Sequence, residues 1–131
     1  MCSTRWKREQ MKQCPVFSQM RQRTPKVHCL TNPVTMQDVA NVLLAAGGSA
    51  VMAQDAAEVE EITALCDATL LNTGVPGLEK FRACTLAGVR ANGLGHPVVL
   101  DPVGAGASAF RRSQLGALLE QVRPTIIRCN Q

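Results

Sequence analysis

Pro97-Val98-Val99-Leu100-Asp101-Pro102-Val103-Gly104-Ala105-Gly106-Ala107-Ser108 is the stretch that decides the fold. A short apolar run delivers a carboxylate and then two glycines into a loop. That is the pattern of a strand buried on both faces, and open α/β sheets put ligand chemistry at the carboxyl ends of such strands. Asp101 is placed to hold a hydrated cation. Gly104 and Gly106 allow the backbone to approach a phosphate with no Cβ in the way. A tight turn after a core strand reads the same way, so the pair alone does not define a site. No Lys-Ser/Thr follows, and the glycine spacing differs from the dinucleotide fingerprint, so neither familiar nucleotide loop is present.

Working outward from this stretch, short apolar runs alternate with helical patterns from Val27 onward. Candidate strands are 27–30, 50–52, 68–71, 98–100 and 125–128, and candidate helices are 39–46, 57–65, 78–94 and 114–122. Thr35 with Asp38, and Asp55 with Glu58, have the spacing of caps that satisfy orphan helix N–H groups. Gly47-Gly48 ends one helix, and Gly93 and Gly95 before Pro97 end another. Such βαβ alternation implies parallel strands joined by right-handed crossovers, hence an α/β fold with a three-layer, mostly parallel sheet flanked by helices.

A parallel sheet brings the residues after every strand to one edge. Here these are Thr31-Asn32, Met52-Ala53, Asn72-Thr73-Gly74, Asp101-Pro102 and Cys129-Asn130. Turns favour Asn, Asp and Gly for their own reasons. It is the convergence of five loops that points to a site.

Composition narrows the function. Only 3% of the 131 residues are aromatic, which gives few platforms for stacking nucleic-acid bases. The net charge of +4 comes from the first 26 residues, where seven Lys/Arg face Glu9 alone, so the rest of the chain is mildly acidic and no nucleic-acid partner is expected. Residues 1–24 read as a basic, flexible extension, although an organelle-targeting peptide is also basic and acid-poor. No apolar run is long enough to span a bilayer, so no membrane association is expected and the chain reads as cytoplasmic. Six cysteines without a C-x-x-C pair, with only His28 and His96 to join them, argue against zinc. Cys66 and Cys84 read as small core residues in a reducing compartment. His28 reads as structural and His96 as part of a helix-to-strand turn.

The residues Val27-His28-Cys29-Leu30-Thr31-Asn32, Val34-Thr35-Met36, Asp38 through Gly47, Val51-Met52-Ala53, Glu58 through Ile62, Leu71-Asn72-Thr73-Gly74, Val98 through Ala107, Phe110-Arg111 and Ile126-Ile127-Arg128 resemble, in order, the N-terminal half of hydroxyethylthiazole kinase. The resemblance implies a ribokinase-like fold and transfer of phosphate from ATP, with Mg2+, to the hydroxyethyl group of 4-methyl-5-(2-hydroxyethyl)thiazole in thiamine biosynthesis or salvage. It also implies a homotrimer. Residue by residue, Met52, Asn32 and Gly74 match substrate-binding positions, and Arg128 matches an ATP-contacting arginine. Asp101 matches a position near the metal, acting directly or through water, and Asn130 is a further metal-side candidate. A soft methionine sulfur suits a flat sulfur-containing ring, and a planar, always-charged guanidinium suits phosphate oxygens.

The family's Arg-Gly-Asn reads Arg128-Cys129-Asn130 here. A glutamate that follows it in the family, and the later Gly-Thr-Gly-Cys/Asp segment, are not among these residues. Residues 25–131 are therefore expected to form the N-terminal part of the kinase domain, to hold no catalytic residue, and to be inactive alone. The alternative is a non-catalytic small-molecule-binding or oligomer-forming remnant of the same family.

Overall fold

The structure is a computed structural model, and the residues it describes are 15–129. Ten elements follow one another: α1 Pro15–Arg23, β1 Lys26–Leu30, α2 Met36–Ala46, β2 Ser49–Val51, α3 Val59–Leu65, β3 Ala68–Asn72, α4 Leu78–Leu94, β4 Val98–Asp101, α5 Ala109–Gln121 and β5 Ile126–Ile127. All strand pairs are parallel, in the order β2-β1-β3-β4-β5. The chain adds β2 on one side of β1 and all later strands on the other. The order therefore reverses between β1 and β3, where open α/β sheets form their binding crevice.

The two faces of the sheet are covered unequally. Register places His28 beside Thr69 and Val98, and Leu30 beside Leu71 and Leu100, on one face. Leu30, Leu71, Val98 and Leu100 are fully buried there, packed with Val59, Phe81, Ala87 and Leu118 from α3, α4 and α5. On the opposite face α2 lies over β2, and an apolar groove of about 600 Å3 lined by Val27, Val39, Val42, Leu70 and Val99 runs beside it. No helix among the described residues is long and apolar enough to cross a membrane.

The helix stops follow the sequence: Gly47 (φ +99°) and Gly95 (φ +72°) are left-handed caps whose N–H groups return to the preceding turn. The starts depart from expectation in three places. Thr35 has φ −114°, ψ 0° and makes no side-chain cap bond, because the Asn32 carboxamide accepts the Val34 and Thr35 N–H groups and organises this turn instead. Asp55 does cap a turn, its Oδ1 accepting the Ala57 N–H, but the regular helix starts only at Val59. The last helix begins at Ala109 rather than at residue 114, because Ser108 accepts the Arg111 N–H and caps it there.

Within the expected extension, residues 15–23 form an element of their own. Pro15–Arg23 is helical, ends with the Thr24 N–H on the Met20 carbonyl, and packs on α2 where the Gly47-Gly48 turn leaves no room for a larger residue: a Cβ on Gly47 would lie 2.5 Å from Arg21 Cγ. Residues 1–14, Asn130 and Gln131 lie outside the described residues.

Candidate functional site

The loops after β1, β3, β4 and β5 meet through a chain of side-chain hydrogen bonds. Asn32 Nδ2 donates to Asn72 Oδ1 at 3.0 Å, Asn72 Nδ2 donates to Asp101 Oδ2 at 3.0 Å, and Arg128 Nη1 lies 3.3 Å from the same oxygen. Backbone donors fix the direction of both amides. Val34 and Thr35 N–H occupy Asn32 Oδ1, and Gly74 N–H donates to Asn72 Oδ1 at 2.8 Å, so each NH2 must point onward along the chain. Gly74 has to be glycine: a Cβ there would stand 2.7 Å from Asn32 Nδ2 and 2.9 Å from Asn72 Oδ1. Val75 follows with φ +48°, a left-handed conformation costly for a β-branched residue.

Two cavities adjoin along this relay. One, of about 490 Å3, is lined by Asn32, Val34, Asn72, Gly74 and Val75 together with Asp101 and Arg128. The other, of about 540 Å3, is lined by Gly104, Ala105 and Gly106 and shares Asp101, Val103 and Arg128 with the first. The second is glycine-walled, and Asp101 and Arg128 lie where the two meet. Arg111 and Arg112 of α5 donate to the Val103 and Gly106 carbonyls at 2.9 Å each, so helix side chains shape that loop. The Asp101 side chain is 18% exposed and that of Arg128 is 74% exposed, which leaves the guanidinium free to turn towards an anion. The Asn72 and Arg128 contacts fall on one oxygen, leaving Oδ1 for a cation or water. No cluster of three potential metal ligands exists among the described residues. Asp101 is the one carboxylate in the lining of these two cavities and could hold a cation whose other positions are filled by water.

The β1–β2 end of the edge is tightly bonded within the protein. His28 is buried, with Nδ1 2.9 Å from Thr63 Oγ1 and Nε2 2.9 Å from the Ala53 carbonyl. A carbonyl can only accept, so Nε2 carries the proton and Nδ1 accepts from the Thr63 hydroxyl. Burial lowers the His28 pKa below its ordinary value, against the opposing effects of the Ala53 hydrogen bond and Glu58. Met52 follows β2 directly, and its sulfur accepts a weak contact from Thr31 Oγ1 at 3.9 Å. Lys80 of α4 donates to the Thr31 carbonyl and to Gln54 Oε1, and burial lowers its pKa.

Of the residues expected at the site, Asn32, Gly74, Asp101 and Arg128 share one cavity. Met52 does not line it; it lies one strand away, against Thr31, the neighbour of Asn32. Sequence reading does not assign Asn72, the link between Asn32 and Asp101, although its place after a strand beside Gly74 is a usable signal. Nothing in the sequence marks Lys80, whose partners lie 49 and 26 residues away.

Comparison with known proteins gives the family of the chain. The model of the hydroxyethylthiazole kinase family matches residues 17–131. The chain belongs to this family. It is 52% identical over 115 residues to hydroxyethylthiazole kinase from Desulfovibrio desulfuricans, covering 88% of this chain and 40% of that one. It is 47% identical over 116 residues to the same enzyme from Lysinibacillus sphaericus, with 88% and 46% covered. The chain thus spans less than half the length of these relatives. The structure of the family member from Pyrococcus horikoshii OT3 matches with TM-score 0.77 and 43% identity over 81% of this chain and 42% of that one, which establishes the ribokinase-like α/β fold. A sensor histidine kinase receiver domain from Pseudomonas aeruginosa PAO1 shares the fold alone, at 19% identity and TM-score 0.57 over 81% of this chain and 84% of that one.

Proposed function

We propose that this chain forms the substrate-binding edge of a hydroxyethylthiazole kinase, taking 4-methyl-5-(2-hydroxyethyl)thiazole and MgATP in thiamine biosynthesis or salvage, in the cytoplasm and as a homotrimer. The observation that carries this reading is the pair of cavities that adjoin at Asp101 and Arg128, one walled by the Asn32 and Asn72 amides, the other by Gly104 and Gly106. The thiazole alcohol belongs in the amide-walled cavity, with Asn32 and Gly74 at its polar wall, and the Met52 sulfur, outside that cavity beside Thr31, would meet the ring from the β1–β2 side. The phosphates belong in the other, where the Arg128 guanidinium would accompany them and the Asp101 carboxylate would bind Mg2+ directly or through water. Bound MgATP would supply the γ-phosphoryl group. Asn72 holds Asp101 by a 3.0 Å hydrogen bond and so orients the carboxylate across the boundary between the two ligands. Preorganisation of this kind is the main contribution a protein makes to phosphoryl transfer.

The chain spans less than half the length of these relatives, the resemblance implies further charge-stabilising groups in the remainder, and loss of one such donor typically costs about 2.7 to 4 kcal/mol in barrier height. The 131 residues alone are therefore expected to bind the thiazole alcohol without turning it over. Calorimetry with this alcohol and a coupled ADP-release assay test the reading. Binding by the chain, weakened in Met52→Lys by a half-buried ammonium where the thioether stood, supports it. Absence of binding, or turnover within roughly tenfold of a full-length family member, overturns it.

A further inference from the structure

We propose that Lys80 and His28 are positioning residues: they clamp the segment Met52–Gln54 onto the sheet and thereby fix the Met52 sulfur for the thiazole ring, an inference that rests on the function proposed above. β2 has three residues and is an edge strand bonded only to β1, so its exit cannot be held by a second strand. Three successive residues beyond it are instead tethered from three places. Met52 Sδ meets Thr31 Oγ1 at 3.9 Å, the Ala53 carbonyl accepts His28 Nε2–H at 2.9 Å, and Gln54 Oε1 accepts from Lys80 Nζ at 2.8 Å. Lys80 also donates to the Thr31 carbonyl, so one ammonium ties the exits of β1 and β2 together.

The choice of a lysine here is informative. Half-burying an ammonium carries a desolvation penalty, and among the described residues Lys80 forms no salt bridge that would offset it. Its donors go to a carbonyl and a carboxamide, both from segments that flank Met52 and Asn32. A core side chain needs no such charge. A group that must reach across 49 residues of sequence and hold two loops at a set separation does.

The test follows the Met52 methyl signal in the 131-residue chain labelled with [ε-13C]methionine, assigned by its loss in Met52→Leu, and measures thiazole-alcohol and MgATP affinities in parallel. In Lys80→Leu, and in Gln54→Ala, which removes only the loop-side acceptor, the Met52 signal should move towards the free-methionine position. Thiazole affinity should fall roughly tenfold, as for loss of a charge-assisted hydrogen bond, with MgATP affinity unchanged within about twofold. Lys80→Arg should restore much of both. An unmoved Met52 signal in Lys80→Leu and Gln54→Ala overturns the proposal, as does an equal loss of both ligands, the mark of general destabilisation. A Met52 signal that responds in a chain with no thiazole affinity refutes the function proposed above while supporting the clamp.

Discussion

At the β1–β2 end of the edge His28, Lys80 and Gln54 all bond to partners inside the protein, whereas at the β4–β5 end Arg128 is 74% exposed and touches Asp101 at 3.3 Å. The contrast follows the chemistry of the two proposed ligands. A small neutral ring is recognised by shape, and shape requires side chains that are already fixed. A polyanion is recognised by charge, and an exposed guanidinium can reorient to meet it. Gly74 and Asn72 stand at the boundary, where they transmit the position of one end to the other.

Substitutions can break that division, and the largest effect belongs to the boundary. Gly74→Val pushes into two buried, hydrogen-bonded carboxamides that cannot swing aside. It is expected to destabilise the chain by about 3 kcal/mol in urea titration, from overpacking together with the lost bonds, and to weaken both ligands together. At the β1–β2 end, the folded state holds His28 below its ordinary pKa of 6.5, so below that pH the unfolded chain takes up a proton that the folded chain refuses. Stability from this group is present above pH 6.5 and is lost as pH falls towards the lowered value. His28→Gln, whose amide can still donate to the Ala53 carbonyl, should cost about 1 kcal/mol at neutral pH and show a shallower loss under acid in a pH series of urea midpoints.

Smaller effects sharpen the contrast. Val75→Asn is expected to raise stability by about 1 kcal/mol, because asparagine tolerates the left-handed backbone that valine resists. Thermal melting measures this. At the charged end, Arg128→Ala should leave stability within about 0.5 kcal/mol, as for an exposed ion pair, while lowering MgATP affinity in calorimetry. A large stability loss there would show that the β4–β5 end is as firmly built as the β1–β2 end.

The strands are legible in the sequence because each is a short apolar run closed by polar or small residues, as in Val98–Asp101. The common edge is legible for the same reason, since parallel strands must all end on one side. The helix starts are harder to read. Thr35 has cap spacing, yet Asn32, three residues earlier, takes the backbone donors, and composition does not settle a competition between two local acceptors. Lys80 is invisible because its role depends on the separation of two loops in space. Met52 is legible as an edge residue but not as one lying a strand away from the main cavity, since sequence gives the edge and not the distances along it.

The order β2-β1-β3-β4-β5 also has a consequence for assembly. Each strand, as it follows the one before it in the chain, docks against an edge that is still free: β2 on one side of β1, β3 on the other, then β4 on β3 and β5 on β4. No later strand has to separate neighbours that are already paired. The half-built sheet is a valid substrate for the next addition at every stage, and Ile126–Ile127 leaves the growing side in the same condition in which β3 found β1.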